Sequence, residues 1–203
     1  MIVIMLLNSS KLVGCPVLSL HLGGPIGRVT SELVDPNDLT IIALNVSGPQ
    51  TGDGDHGDIL DVRNIREFSN IGMIIDSIDE LVSKGDVVRF DKIIDLNFSV
   101  VGLHVKTKKG TKLGKVTDYT FDPETMQIMQ LIVKRPFIKS FLDPELVIGR
   151  SQIKEVNDYE IIVKEEEEEI KKESGKKDFV PNFINPFRDS NLATNEATVE
   201  KEK

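Results

Sequence analysis

Three groups of residues in this chain carry chemistry by type and spacing. The first is the set that would serve a nucleophilic or metal site. Cys15 is the single cysteine, and His21, His56 and His104 are the histidines. A nucleophile needs a base beside it, and none of the three histidines lies near Ser or Cys in a recognised motif. Cys15, two residues before Val17 and early in a strand pattern, reads as a buried apolar thiol. One cysteine also excludes an intrachain disulfide and any Cys-clustered zinc or iron–sulfur site. Residues 51–58 gather Asp53, Asp55 and Asp58 around His56. Oxygen-rich loops bind Ca²⁺, but this spacing lacks the full EF-hand loop and its closing Glu, so a solvated loop is the better reading. The expectation is therefore no catalytic residue, no metal, no cofactor and no enzyme.

The second group is basic. Lys106, Lys108, Lys109, Lys112 and Lys115 fall in one expected hairpin, and Lys134, Arg135 and Lys139 follow the next strand. Such a hairpin suits phosphates or carboxylates. Interleaved stacking aromatics are missing and the chain's formal net charge is −8, which places RNA behind an acidic protein or tail partner. An ordinary solvated face stands ahead of both. The run Glu165 to Glu169 leaves the last strand of the same unit and could itself lie against these lysines.

The third group is the segment Phe179, Val180, Pro181, Phe183, Ile184, Pro186, Phe187 and Arg188. Residues 165–203 are otherwise charged and polar, a composition that favours disorder, with a short helical extension at Glu165 to Lys172. Yet three of the nine Phe of the chain lie within residues 179–188. Solvated disordered sequence has little reason to concentrate aromatics. Pro181 and Pro186 disfavour helix, so the segment reads as a linear motif that binds in extended form, on a protein partner or back on its own body.

The elements that must position these groups follow from charge and repetition. Residues 1–82 hold 11 acids and 4 Lys/Arg, residues 83–164 hold 11 and 14, and residues 165–203 hold 11 and 7. That division suggests three segments with separate surfaces. Residues 24–46 align with residues 111–133 at an offset of 87, with eight of 23 positions identical. The identities include Gly27/Gly114, Val29/Val116, Asp35/Asp122 and Pro36/Pro123. At an offset of 88 the match extends to Gly14/Gly102 and Val17/Val105 upstream. Downstream it reaches Ile65-Arg66-Glu67 against Ile153-Lys154-Glu155, and Met73-Ile74-Ile75 against Ile161-Ile162-Val163.

Each unit reads as a small β-barrel. The apolar runs Leu39 to Val46 and Met126 to Val133 place Ile42, Leu44 and Val46 on one face, and Met129, Leu131 and Val133 likewise. Each Asp-Pro pair closes a hairpin through a type I turn. Gly27 and Gly114 permit a bend or a close backbone approach. A shift of apolar phase between Val116 and Tyr119/Phe121 predicts a bulge. In the connector, Asp86 caps a short helix with Val87, Phe90, Ile93 and Ile94 on one side, joining the barrels or packing between them.

These residues resemble the PRC-barrel family. The pattern is Gly-x-x-Val, then Leu/Ile-Gly-Lys/Arg-Val-Thr, then Asp-Pro, a strand, and Ile-Lys/Arg-Glu before an apolar strand. It occurs twice, over about residues 12–76 and 100–164. The family includes the cytoplasmic domain of the photosynthetic reaction-centre H subunit, the C-terminal barrel of a ribosome-maturation factor, and many stand-alone bacterial and archaeal proteins. It has no shared catalytic motif, and its known roles are mainly docking and assembly. The maturation factor's different N-terminal barrel and the H subunit's transmembrane helix have no counterpart in this sequence. The resemblance thus implies an all-β protein of two tandem small barrels: a first domain at 1–82, a connector at 83–99, a second domain at 100–164 and a disordered tail at 165–203. Ile2 to Leu7 is too short to span a bilayer and lacks signal-peptide flanks, so a cytoplasmic protein is expected. The expected function is a non-enzymatic scaffold that docks a protein partner through the Phe/Pro segment, the alternative being an RNA-binding or ribosome-assembly factor that uses the basic second barrel.

Overall fold

Short runs of β-branched and aliphatic residues, broken every few positions by Gly, Pro, Asp and Asn, make strands the dominant element. The computed structural model describes residues 6–52, 56–135 and 145–164. The strands are β1 (Leu7–Asn8), β2 (Pro16–Ser19), β3 (Gly24–Asp35), β4 (Thr40–Ser47), β5 (Ile59–Asp61), β6 (Glu67–Ser69), β7 (Gly72–Ile75) and β8 (Leu81–Val82). After the helix α1 (Val88–Leu96) come β9 (His104–Thr107), β10 (Lys112–Phe121), β11 (Ile128–Lys134), β12 (Glu145–Gly149), β13 (Ile153–Val156) and β14 (Glu160–Val163). They form two seven-stranded sheets. One runs β6-β7-β2-β3-β4-β5-β8; the other runs β12-β11-β10-β9-β14-β13, with β1 added against β10. Each order is a line with two ends, so the described residues establish two sheets, and closure into barrels is not among their pairings.

The internal repeat is structural as well as sequential. In both copies the second strand of the unit is long, and its register slips at the same two places. The slips fall at Val29/Ser31 and Leu33/Val34 in β3, and at Val116/Asp118 and Thr120/Phe121 in β10. The residue passed over at the first slip is a threonine each time. Thr30 donates to the Asn45 carbonyl and Thr117 to the Ile132 carbonyl, both at 3.2 Å. Gly27 and Gly114 share one environment. A Cβ on Gly27 would lie 2.7 Å from the Ser47 carbonyl oxygen and 2.9 Å from Val46 Cγ1; on Gly114 it would lie 2.1 Å from the Lys134 oxygen and 2.9 Å from Val133 Cγ1. The bulge expected in the second copy is therefore present in both, and the close approach expected at the glycines is met. The Asp-Pro turns also match: Asp35 accepts from the Asn37 amide and Asp122 from the Glu124 amide, each at 3.0 Å.

The two copies interlock. Leu39 and Met126, equivalent positions, both take left-handed backbone, with φ of 49° and 57°. Large apolar residues pay a steric cost there. In return the two turns face one another. The Ile41 amide donates to the Met126 carbonyl, and the Ile128 amide donates to the Leu39 carbonyl, both at 2.9 Å. Thr40 and Gln127, again equivalent, form the bridge between them. Such reciprocity is the mark of a two-fold interface, here within one chain. Tyr119, fully buried, donates to Glu32 at 2.9 Å, and these too are equivalent positions. Burial first, then the nearby carboxylate, pushes the Tyr119 hydroxyl well above its ordinary range. The amino-terminal β1 crosses onto β10 of the second sheet, and Ser9 there donates to Asp118 at 2.5 Å. One continuous apolar cluster, from Leu12 through Leu44 and Met73 to Leu131 and Val163, serves both sheets.

Two local expectations are corrected. Ile42, Leu44 and Val46 do not share a face, nor do Met129, Leu131 and Val133. The second register slip passes over Ile42 and Met129, so the phase changes there. Leu44 and Val46 enter the shared core, while Ile42 turns outward with Ala43. The helix forms, but Asp86 does not cap it. Val87 is the N-cap, and the Asp86 carboxylate instead accepts from the Ser83 amide at 2.7 Å. Of the two placements expected for it, α1 takes the first and joins the two copies along the chain. Phe90 and Ile93 cover Ile42, Ala43 and Ile59 on the outer face of the first sheet, and this explains why β4 is buried along most of its length. Asn97 ends the helix in left-handed backbone. Among the described residues no helix is long and apolar enough to cross a membrane.

Gly114→Ala is expected to cost about 3 kcal/mol or more in urea unfolding, because a methyl would overlap the Lys134 backbone and φ is +152°. Gly27→Ala, with its wider gap and ordinary φ, should lose clearly less; equal losses would contradict this packing.

Candidate functional site

The period of two in β9 sends Val105 and Thr107 into the core and turns His104 and Lys106 outward. Antiparallel pairing with β10 sets Lys112 opposite Lys106 and Lys115 opposite His104. On its other side Lys115 faces Lys134 of β11, which in turn faces Glu145 of β12. The parallel neighbour β14 puts Glu160 beside His104. One row across the outer face of the second sheet therefore reads Glu145, Lys134, Lys115, His104, Glu160. A second row begins Lys112, Lys106.

Two of these facing pairs, Lys112 with Lys106 and Lys115 with Lys134, are like-charged. Such like-charged cross-strand pairs oppose sheet stability. One lysine is compensated: Lys106 Nζ lies 2.6 Å from Glu160 Oε1. That hydrogen bond, opposed by desolvation and helped by the Lys106 charge, Asn157 and His104, holds the Glu160 carboxyl below its ordinary range. The repeat supplies an internal comparison. Its first copy has Pro16, Leu18, Pro25, Arg28 and Ser47 where the second has His104, Lys106, Lys112, Lys115 and Lys134, in the same register. Only the second copy concentrates cations.

The other sequence expectations fare differently. Lys106, Lys112 and Lys115 stand together on this face, with Lys108 and Lys109 in the turn beyond β9. The segment from Phe179 to Arg188 that is expected to bind a partner, the glutamate run at 165–169, Lys139 and the centre of the acidic loop lie outside the described residues. Cys15 is half-buried against the core, and burial raises its thiol pKa. His56 Nδ1 lies 3.5 Å from Asp79 Oδ1. No group of three or more His, Cys, Asp or Glu among the described residues could hold a metal ion. A groove of about 510 Å³ lies along β3 between Glu32, Leu33, Asn45, Ile94 and Phe98. Glu32 is already engaged there by Tyr119. The reading of single segments placed Lys134 in the basic group but missed that it faces Lys115, and it missed Glu145 and Glu160 as members of this face; the repeat offset, carried through strand by strand, was the signal that could have found them.

No protein-family model matches the chain, and a search of curated proteins gives no match.

The folded-state pKa of Glu160 is depressed, so the stabilisation from its pair with Lys106 is present above the ordinary carboxylate pKa and is lost as pH falls through the depressed value. Carboxyl NMR titration should place Glu160 below an ordinary glutamate, and Lys106→Met should return it upward. An unchanged titration in Lys106→Met would contradict the pairing.

Proposed function

We propose that this chain is a non-enzymatic binding scaffold built from two fused PRC-barrel-type units, working in the cytoplasm and docking a protein partner through residues 179–188. The observation that supports the family reading most is the common environment of Gly27 and Gly114. They are the glycines of the repeated Gly-Lys/Arg-Val-Thr pattern, and each lies against the equivalent strand end. Docking and assembly are the roles that the resemblance implies.

A scaffold needs a body that does not yield when its partner pulls. The shared apolar core and the reciprocal turn bonds suit that need. The docking element follows it in sequence. Burying Phe179, Phe183 and Phe187 would contribute about 1.5–3 kcal/mol each if complete. Ordering the segment offsets part of this, so the affinity is modest and the complex exchanges readily.

Deleting residues 178–189 should leave the thermal unfolding midpoint of the body unchanged while specific partners disappear from an affinity purification made with the full chain. Retention of every specific partner by the deletion variant would overturn this function.

A further inference from the structure

We propose that the lysine face of the second sheet is a second docking surface, one that takes a short acidic segment of a partner polypeptide. It does not rest on the Phe/Pro segment.

The argument begins with a cost that the fold does not require. Lys112 faces Lys106, and Lys115 faces Lys134, on adjacent strands about 4.8 Å apart. Like charges held this way weaken a sheet. The first copy shows that the same architecture works without them: Pro25 faces Leu18 and Arg28 faces Ser47 at the matching positions. Packing therefore does not explain the four lysines. Glu160 neutralises Lys106 in part, and Glu145 faces Lys134 from the sheet edge. Lys112 and Lys115 are exposed on the same face. Carboxylates delivered from outside would relieve the repulsion that the sheet itself leaves.

The layout also selects the ligand. The row Lys134, Lys115, His104 crosses three strands, a span of roughly 10 Å, too broad for one small anion. It is closed by Glu145 at one end and Glu160 at the other. A continuous phosphate backbone crossing the row would meet a carboxylate on each side. Two or three acidic side chains on an extended peptide fit between them, since alternate residues of a strand project on one side about 6.6 Å apart. The lysines offer point charges, which suit carboxylates without demanding fixed geometry. The −8 net charge of the chain further opposes a long polyanion while leaving this local patch attractive.

The test uses the full chain and a fluorescein-labelled hexaglutamate peptide, read by anisotropy at low salt, with labelled hexauridylate as the comparison. The peptide should bind, release as salt rises, and bind roughly tenfold or more weakly to Lys112→Glu/Lys115→Glu. The Lys92→Glu change on α1 should leave binding unaltered. The unfolding midpoint of the double variant should hold or rise, because each facing pair becomes opposite in charge. Lys112→Thr/Lys134→Ser, which only removes charge, gives the same binding readout should the double reversal fail to fold. No peptide binding, binding unchanged by either double variant, or tighter binding of hexauridylate than of hexaglutamate would each overturn the proposal.

Discussion

Two turns that should be uncomfortable hold this molecule together. Leu39 and Met126 are bulky, apolar and left-handed, and neither conformation nor residue type recommends the other. Each turn is retained because its partner completes it. The carbonyl of one accepts the amide two residues after the other, in both directions. Both side chains are then buried in the common core. The conformational cost of the turns is local, whereas the gain requires both copies, so the unit of folding is the pair. Tyr119 and Glu32 repeat the principle with side chains: a buried hydroxyl on one copy finds its acceptor at the same position of the other.

Symmetry of this kind constrains the interface and leaves the outer faces free to diverge. On the first sheet the outer face is apolar around Ile42, Ala43 and Ile59, and α1 covers it. On the second sheet the matching surface carries Met129, Gln130 and Val147, and its neighbouring rows are basic. Val147 is 53% exposed where its counterpart Ile59 is 2% exposed. One copy has thus become a packed wall and the other a presented surface. Duplication permits this because the interlock fixes the fold while the outward residues of each strand remain independent of it.

Much of this was legible in the sequence, and the parts that were not share a cause. The offset repeat, the Asp-Pro turns and the close approach at Gly27 and Gly114 rest on residues whose conformational preference is strong and local, and the slip beside Thr117 showed as a shift of apolar phase. The left-handed turns were not legible, because Leu and Met are not the residues that signal positive φ. The true facing of Ile42 and Met129 was hidden because a bulge alters phase without altering composition. Asp86 looked like a cap, yet its carboxylate serves the preceding turn, while the chain enters the helix at Val87. The basic hairpin was visible as composition. Its arrangement into rows was not, since Glu160 reaches it through a parallel pairing and Lys134 through a strand further along the chain.

The central claim is that the two copies form one cooperative body through their reciprocal turns. Native-state hydrogen exchange followed residue by residue tests it most directly. The amides of Ile41 and Ile128 should exchange only through the same global opening that releases core amides such as Leu44 in β4 and Leu131 in β11, with one common dependence on denaturant. Two separate openings, one releasing the first sheet while Ile128 and the second sheet stay protected, would contradict it.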